Sequence, residues 1–369
     1  LSLGSILDGN ADNATNVRAT TGQVKLSAQG GSIGSGGVNP LTGETNSGAN
    51  ALEIDTSSVS EAFSAVAQSD IYISENTESL DIAKVSSATG NITIAVLDTS
   101  TGQGRDLILG NGTSIIALQG SITLLVGDDA SFSANSSMVA ADKVTLFADV
   151  DGYDVGEGAL LNLAGTIDAD SVTINTSVDG DEINITSIRA GAETTVNSMG
   201  GADIIRVGSQ ATTSNARGVL NNLHGLLIVN GGDNLGDKLL LDDSGDLQIN
   251  TGELTRNALT GLGTAGIQFS GVEDVKLFLG LADDSLAITS TDYADVIVYG
   301  GDGKDTFNIG DGGSVATINK LLNIKGGGNS DTVNVNNGND TSERTGTLTS
   351  SGLTGLAMGD PVFDGIVYG

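Results

Sequence analysis

Apolar and polar residues alternate along most of the chain, in runs of four to six residues. Within each run every second residue is apolar, most often Val, Ile or Leu, and Thr, Ser, Asn, Lys or Asp fill many of the positions between. A period of two is typical of a β-strand with one buried face, and β-branched side chains favour extended backbone. The pattern therefore predicts many short strands, among them residues 23–26, 70–73, 91–94, 121–124, 143–146, 171–174, 182–185 and 332–335.

The segments between these runs are rich in Gly, Asn, Asp and Ser, which accept left-handed backbone angles and are typical of turns. Helix signals are weak. The best helix candidate is residues 58–67, where Glu61, Ala62 and Phe63 follow one another without a turn residue. Elsewhere Gly, Thr and Asn are too frequent to sustain a helix, so we expect an all-β protein.

A long internal repeat occupies the C-terminal half. The segment that starts at Asn230 matches the segment that starts at Lys325. The first loop of the second copy is one residue shorter than that of the first copy. From there the offset is 94 residues (Asp331 minus Asp237), and the alignment extends to Phe269 and Phe363. We therefore expect residues 179–369 to hold two copies of a Gly/Asp-rich unit of about 95–100 residues, and residues 1–178 to form a separate region.

A shorter motif recurs within this region: an Asp, one residue, and then an apolar–x–apolar strand. Its spacings along the chain are 22, 34, 47, 21 and 26 residues. One coil of a β-solenoid takes roughly 20–25 residues, so 47 predicts two coils and 34 predicts one coil with an inserted loop. The aspartates of the motif are Asp181, Asp203, Asp237, Asp284, Asp305 and Asp331.

These observations predict a right-handed parallel β-helix in which each coil contributes strands to long parallel sheets. The alternative is a string of small antiparallel β-sandwiches, which short strands and turns alone do not exclude. The aromatic content favours the solenoid, because sandwich cores usually contain Trp or several Tyr and Phe. This chain has no Trp, and aromatics make up 3% of its residues.

Composition narrows the classes of function. The formal net charge of −31 excludes nucleic-acid binding through phosphates and attraction to anionic membranes, since both need clustered Lys and Arg. The absence of cysteine excludes disulfides, thiolate metal sites and cysteine nucleophiles. No run of about 18 apolar residues is present, so we expect no transmembrane helix.

Two parts of the chain resemble known families of large bacterial exoproteins. Residues 22–33, and residues 70–74 with 90–94, resemble the coils of filamentous-haemagglutinin-type proteins. The segment 300–308, Gly-Gly-Asp-Gly-Lys-Asp-Thr-Phe-Asn, fits the RTX (repeats-in-toxin) nonapeptide at every fixed position, although it occurs once rather than in tandem. The resemblance implies a β-helical segment of a giant secreted or surface-attached bacterial adhesin.

Calcium binding is the main chemical hypothesis. Ca²⁺ takes six to eight oxygen ligands, and Gly-rich turns expose backbone carbonyls beside carboxylates. Asp284 and Asp305 are expected to stack one coil apart, close enough to share a cation. The alternative is that the aspartates are ordinary turn residues that cap their own backbone. The candidate calcium ligands are Asp203, Asp237, Asp283, Asp284, Asp302, Asp305 and Asp331, together with the loop residues Asp149, Asp151 and Asp154.

Catalysis is the weaker hypothesis. Carboxylate-based polysaccharide lyases and hydrolases include β-helices, but adjacent acids arise readily among 46 Asp and Glu, and strand neighbours point to opposite faces. The single histidine, His224, is expected at a coil corner on the surface. We therefore expect a non-enzymatic protein.

The expected function is structural: a segment of an extracellular or cell-surface bacterial fibre, sheath or adhesin stalk. The chain starts at Leu1 and stops at Gly369 just after a strand-like run, so we expect a piece of a longer exported protein. Expected partners are neighbouring segments or copies of the chain, which would cover exposed strand edges at both ends. The alternative is an adhesin module that binds a glycan or a cell-surface ligand through a long loop, either residues 34–50 or residues 208–221.

Overall fold

The structure is a computed structural model and describes residues 4–8, 14–35, 51–56, 60–75, 77–97, 105–150, 156–212, 217–310, 312–359 and 365–369. Within these residues every regular element is a β-strand, and strands alternate along the chain between two long, largely parallel sheets. This is the architecture of a parallel β-helix, or β-solenoid, as the sequence predicts. The alternative of tandem β-sandwiches is wrong, because sandwich sheets are antiparallel.

The chain divides into two compact units. Unit 1 comprises Leu1–Asn184 and Gly191–Gly201, and unit 2 comprises Ile185–Ala190 and Ala202–Gly369. The strands of unit 1 are β1 (Val17–Arg18), β2 (Val24–Ala28), β3 (Leu52–Asp55), β4 (Phe63–Ala67), β5 (Ile71–Glu75), β6 (Leu80–Ser87), β7 (Ile92–Val96), β8 (Leu107–Ala117), β9 (Ile122–Val126), β10 (Ala130–Phe132), β11 (Ser137–Ala140), β12 (Lys143–Ala148), β13 (Leu160–Leu163), β14 (Thr166–Asp168), β15 (Ser171–Asn175), β17 (Glu193–Asn197) and most of β16 (Glu182–Ile185).

The strands of unit 2 follow the same alternation, with one antiparallel hairpin inserted in each copy of the repeat. They are β18 (Ile204–Val207), β19 (Leu226–Asn230), β20 (Lys238–Asp242), β21 (Thr251–Leu254), β22 (Ala258–Gly261), β23 (Ile267–Ser270), β24 (Asp274–Phe278), β25 (Ser285–Ile288), β26 (Asp295–Tyr299), β27 (Thr306–Ile309), β28 (Leu321–Lys325), β29 (Thr332–Val335), β30 (Gly346–Leu348), β31 (Gly352–Gly355) and β32 (Gly365–Tyr368).

The core consists of aliphatic ladders, since an inward residue on one coil lies directly beside its counterpart on the next. In unit 1 one ladder joins strands β5, β7, β9, β12, β15 and β17 through Ile73, Ile94, Leu124, Leu146, Ile174 and Val196. All of these side chains are buried. In unit 2 an equivalent ladder joins Leu241, Leu277, Val298 and Ile324. Small branched residues fill a narrow interior, which explains the low aromatic content.

The two copies of the repeat lie in opposite sheets. Strand β19 belongs to the sheet that contains β25, β27 and β29, whereas its counterpart β28 pairs with β26 in the other sheet. In the same way β20 pairs with β24, and its counterpart β29 pairs with β27. If the part of a coil that contributes to one sheet is called a half-coil, the two copies are therefore separated by an odd number of half-coils.

Three sequence expectations need correction. The helix expected at 58–67 is wrong where the chain is described, because Phe63–Ala67 is strand β4 and buries Phe63, Ala65 and Ala67 on one face. The spacing of 47 residues is not two coils, because Asp237 precedes β20 in one sheet and Asp284 precedes β25 in the other.

The third correction concerns the end of the repeat. Leu259 pairs with Ile267, and its counterpart Leu353 pairs with Ile366, so the offset in the last strand is 99 residues (Ile366 minus Ile267) rather than 94. The longer loop before β32 causes this change. Phe363, which the sequence aligns with Phe269, lies outside the described residues.

Candidate metal sites at the coil corners

The predicted stacking of Asp284 and Asp305 is present at one corner of unit 2. The backbone N–H of Asp284 donates to Oδ1 of Asp305 (2.9 Å), and the N–H of Asp305 donates to Oδ1 of Asp331 (3.0 Å). The coil lengths between them are 21 and 26 residues. Each carboxylate therefore accepts the N–H that precedes the neighbouring strand and extends the sheet's hydrogen-bond ladder by one step.

A second stack of carboxylates lies at the other sheet of unit 2. The N–H of Asp203 donates to Oδ1 of Asp237 (2.8 Å), one coil of 34 residues away. The N–H groups of Gly236 and Asp237 both donate to Oε2 of Glu273 (2.9 and 3.0 Å). In unit 1 the carboxylate of Asp181 accepts the N–H of Ala159 (2.7 Å) in the same manner. In unit 2 the motif aspartates thus form two stacks on opposite sheets.

Glu273 is a corner residue that the sequence motif did not include. It precedes Val275 and Leu277 as Asp237 precedes Leu239 and Leu241, but the motif was defined by Asp alone. A pattern that allowed Glu as well as Asp before the apolar–x–apolar strand would have found it.

The glycines of the RTX-like segment are explained by close contacts at these corners. A Cβ on Gly300 would collide with the carbonyl oxygen of Gly326 and lie 2.6 Å from Oδ2 of Asp305. Gly301, with φ of +93°, would collide with the carbonyl oxygen of Gly280. Coil stacking therefore requires glycine at both positions, with or without a bound cation.

The other oxygen of two corner aspartates is buried without a hydrogen-bond donor. Oδ2 of Asp305 and Oδ2 of Asp237 accept no hydrogen bond, and the two residues are 1% and 0% exposed. Burial raises the pKa of each to about 6, and neighbouring carboxylates, Asp284 and Asp203 respectively, add to the shift. Near each Oδ2 lies a backbone carbonyl oxygen of the next coil, from Gly326 and Gly271. A proton or a cation at these oxygens would relieve the unfavourable buried charge.

The sequence does not predict a third group of buried acids, of which it singles out Asp284 alone. Asp243, Asp246 and Asp284 are all buried. Burial and the charges of Asp246 and Asp284 raise the pKa of Asp243 to about 7. Four hydrogen bonds, from the backbone and from Asn221 and Asn250, outweigh burial at Asp246 and hold its pKa below the ordinary value. The group escapes a pattern search because Asp243 and Asp246 lie in a turn and Asp284 lies one coil further along.

The remaining predicted ligands within the described residues are Asp283, Asp302 and Asp149. Asp283 and Asp302 are exposed, and Oδ1 of Asp283 accepts the N–H of Lys304 (2.8 Å). In unit 1 Asp149 is buried with φ of 52°, and its carboxylate accepts the hydroxyl of Ser177 on the next coil. Asp151 and Asp154 lie outside the described residues.

No group of three or more His, Cys, Asp or Glu side chains in the described part of the chain has a geometry suited to a metal ion. A cation at Asp237 or Asp305 would therefore take most of its ligands from backbone carbonyls and water. Calcium accepts such ligands, and the unpartnered Oδ2 atoms offer one anionic oxygen at each corner.

His224 is exposed, and its backbone N–H donates to the carbonyl oxygen of Ile188 (3.0 Å).

Across the described ranges no helix is long and apolar enough to cross a membrane. No protein-family profile, curated protein or solved structure matches the chain. The class of the protein therefore rests on its own architecture: it is a β-solenoid repeat protein.

Proposed function

We propose that the chain is a structural segment of a secreted or cell-surface bacterial fibre, sheath or adhesin stalk. The observation that supports this most is that consecutive coils are connected both in the hydrophobic core and at the coil corners. Aliphatic ladders run from coil to coil, and corner carboxylates accept backbone N–H groups of the adjacent coil. Interactions of this kind resist separation of neighbouring coils, which is what a load-bearing segment needs.

The resemblance of residues 22–33 to filamentous-haemagglutinin coils, and of 300–308 to the RTX nonapeptide, agrees with this proposal. The acidic composition suits an extracellular protein, since a net charge of −31 keeps solvent-exposed coils soluble.

Single-molecule pulling of the intact chain tests the mechanical role. A structural segment is expected to release coils in steps that match the coil lengths, 21 to 34 residues in unit 2, at forces well above those of a flexible linker. A glycan array is the second arm of the test. Sub-micromolar binding of one defined glycan, with weak and featureless unfolding, would contradict the structural role and favour an adhesin binding module.

We further propose that calcium neutralises the corner carboxylates Asp237 and Asp305. Their unpartnered, buried Oδ2 atoms and the nearby carbonyl oxygens of Gly271 and Gly326 support this. Thermal melting in calcium and in chelator is the test, because a ligand held only by the folded state raises stability by about 2.7 kcal/mol at a hundredfold excess over Kd.

The matched control is the double variant Asp237→Asn, Asp305→Asn, which retains an oxygen for each backbone N–H but lacks both charges. It is expected to melt at the same temperature with and without calcium. An unchanged midpoint in the unaltered protein would exclude specific calcium binding while leaving the structural role standing.

A further inference from the structure

Among the aromatic side chains of the described residues, Tyr293 alone is more than half exposed, at 56%. The guanidinium carbon of Arg256 lies 3.8 Å from the centre of its ring, in a cation–π contact. Arg256 covers one face of the ring, so at this degree of exposure the opposite face is open to solvent. The contact with Arg256 therefore orients the ring and leaves its other face available to a ligand.

Tyr293 lies in the turn between β25 and β26, and this turn is hydrogen-bonded on both sides. On one side, the N–H of Thr289 donates to the carbonyl oxygen of Leu254 at the end of β21 (3.0 Å). On the other side, the hydroxyl of Thr291 donates to the carbonyl oxygen of Lys320 and accepts the Lys320 N–H (2.9 and 3.1 Å). The turn thus holds the ring in place before a ligand arrives, which lowers the entropic cost of binding.

Polar side chains from three segments of unit 2 meet beside this ring. Oδ2 of Asp292 lies 3.9 Å from Nε of Arg256, and Oδ1 of Asp292 accepts the amide N–H of Asn319. Arg256 stands at the tip of the hairpin β21–β22, and Asn319 stands just before β28. The side chains of Arg256 and Asp292 keep contact with solvent. A guanidinium, a carboxylate and an amide side by side can donate hydrogen bonds to neighbouring hydroxyl groups and accept hydrogen bonds from them.

A sugar ring matches both features, since it presents an apolar C–H face and carries hydroxyl groups around its edge. The charge of Arg256 is balanced by Asp292, so the site suits a neutral sugar better than an acidic one. We propose that Tyr293, Arg256 and Asp292 form a binding site for a neutral oligosaccharide. The apolar face of one sugar ring would stack on the open face of Tyr293, and its hydroxyl groups would bond to Arg256 and Asp292.

The second copy of the repeat folds the same hairpin without this arrangement. Ser350, the residue 94 positions after Arg256, stands at the tip of the hairpin β30–β31. The fold of the repeat therefore does not require Arg256, and the contact with Tyr293 is a feature of the first copy alone. This inference goes beyond the proposed structural function, and it places the glycan contact away from the loops 34–50 and 208–221 that the sequence suggests.

Saturation-transfer NMR of the full chain with maltose, cellobiose, lactose and mannobiose tests the site. We expect at least one of these neutral sugars to bind with a Kd of about 0.1–10 mM, as suits a small ligand on an open surface. Tyr293→Ala should weaken binding by at least about tenfold, because it removes the stacking surface. Tyr293→Phe keeps the ring and should bind within about threefold of the unaltered protein.

The matched control is Tyr299→Ala, because the ring of Tyr299 is stacked on Phe278 with 4.6 Å between ring centres and is not part of the site. It should leave sugar binding unchanged. Arg256→Ser copies the tip of the second hairpin and should weaken binding severalfold at an unchanged melting temperature.

Three results would overturn the proposal: no binding of any of the four sugars, equal binding by Tyr293→Ala and the unaltered protein, or a clear preference for glucuronic acid over the neutral sugars. Loss of stepwise unfolding in the pulling experiment would count against the structural function, whereas failure of the sugar experiment would count against this site alone.

Discussion

Unit 1 and unit 2 each contain a deeply buried carboxylate, Glu75 and Asp305, and the two are hydrogen-bonded in different ways. In unit 1 Glu75 is fully buried, and its two oxygens accept four hydrogen bonds, from the backbone N–H and the hydroxyl of both Thr56 and Thr77 (2.8–3.0 Å). In unit 2 Asp305 is equally buried, but Oδ1 accepts one backbone N–H and Oδ2 accepts none.

The difference follows from the residues around each acid. Threonine hydroxyls supply donors to Glu75, whereas Asp305 lies beside Gly300 and Gly326, which have no side-chain donor to offer. Glycine permits tighter stacking of neighbouring coils. It leaves the buried carboxylate oxygen without a donor from the protein, so that only a proton or a cation would neutralise its charge. The two carboxylates therefore have different stability requirements within one fold.

The largest expected effect comes from the glycine contacts of unit 2. Gly301→Ala combines a left-handed backbone with a collision against the carbonyl oxygen of Gly280, and should lower the free energy of unfolding by about 3 kcal/mol. Urea unfolding measures the loss. Gly312→Ala is the control, because Gly312 has open space around it and should change little. In unit 1 Gly22→Ala should cost about 1 kcal/mol, from backbone strain alone.

The next effect compares the two carboxylates directly. Glu75→Gln turns one acceptor oxygen into an amide donor that faces an N–H and a hydroxyl, so we expect a loss of about 2 kcal/mol. Asp305→Asn retains an oxygen for the Asp284 N–H and removes a buried charge, so it should leave stability at pH 7 unchanged or raise it. Urea unfolding of both variants is the measurement, and equal losses in the two would refute the contrast between these carboxylates.

The third prediction is a pH dependence to which three buried acids of unit 2 contribute. Asp237, Asp305 and Asp243 have pKa values raised from 3.8 to about 6, 6 and 7 in the folded protein. The folded state therefore binds protons that the unfolded state has released, and this stabilisation fades as the pH rises through these values. Without calcium, the midpoint of urea unfolding should be higher at pH 5 than at pH 7.5.

The control for this prediction replaces all three acids by Asn, which should weaken the dependence between pH 5 and pH 7.5. An equally steep dependence in the triple variant would assign the effect to the other acids of the protein instead of to these three.

The smallest effect is expected where the two units are built alike. Asn197 donates to Asn175 on the neighbouring coil of unit 1, and Asn334 donates to Asn308 in unit 2, both at 2.9 Å. Replacing Asn197 or Asn334 by Ala should cost about 0.5–1 kcal/mol in each unit, the net value of one hydrogen bond. Thermal melting of the two variants is the check. Markedly unequal shifts would mean that these ladders contribute differently in the two units.

The solenoid fold could be predicted from the sequence because its causes are local and periodic. Alternation sets the strands, as in Ile92–Val96, and an Asp of the motif marks the corner before six of them. The alternation is weaker at Phe63–Ala67, where helix-forming Glu61 and Ala62 precede a strand whose inward residues are Phe and Ala.

The site could be predicted only in part. The stacking of Asp284 on Asp305 followed from their spacing, but the assignment of each Asp to a sheet did not, since an inserted hairpin between Asp237 and Asp284 adds residues without adding a full coil. The meeting of Asp243 with Asp284 depends on how a turn folds against the next coil, and no local pattern carries that information.

The placement of the repeat copies in opposite sheets has a consequence for how such proteins lengthen. Either sheet accepts the strands of the repeat, since β20 and β29 both pair in parallel with their neighbours. A duplicated stretch of the gene therefore need not encode a whole number of coils to yield a protein that folds. After a duplication of this length, the strands of the new copy lie in the sheet opposite to that of the original strands. The same outward-facing residues are then presented by both sheets.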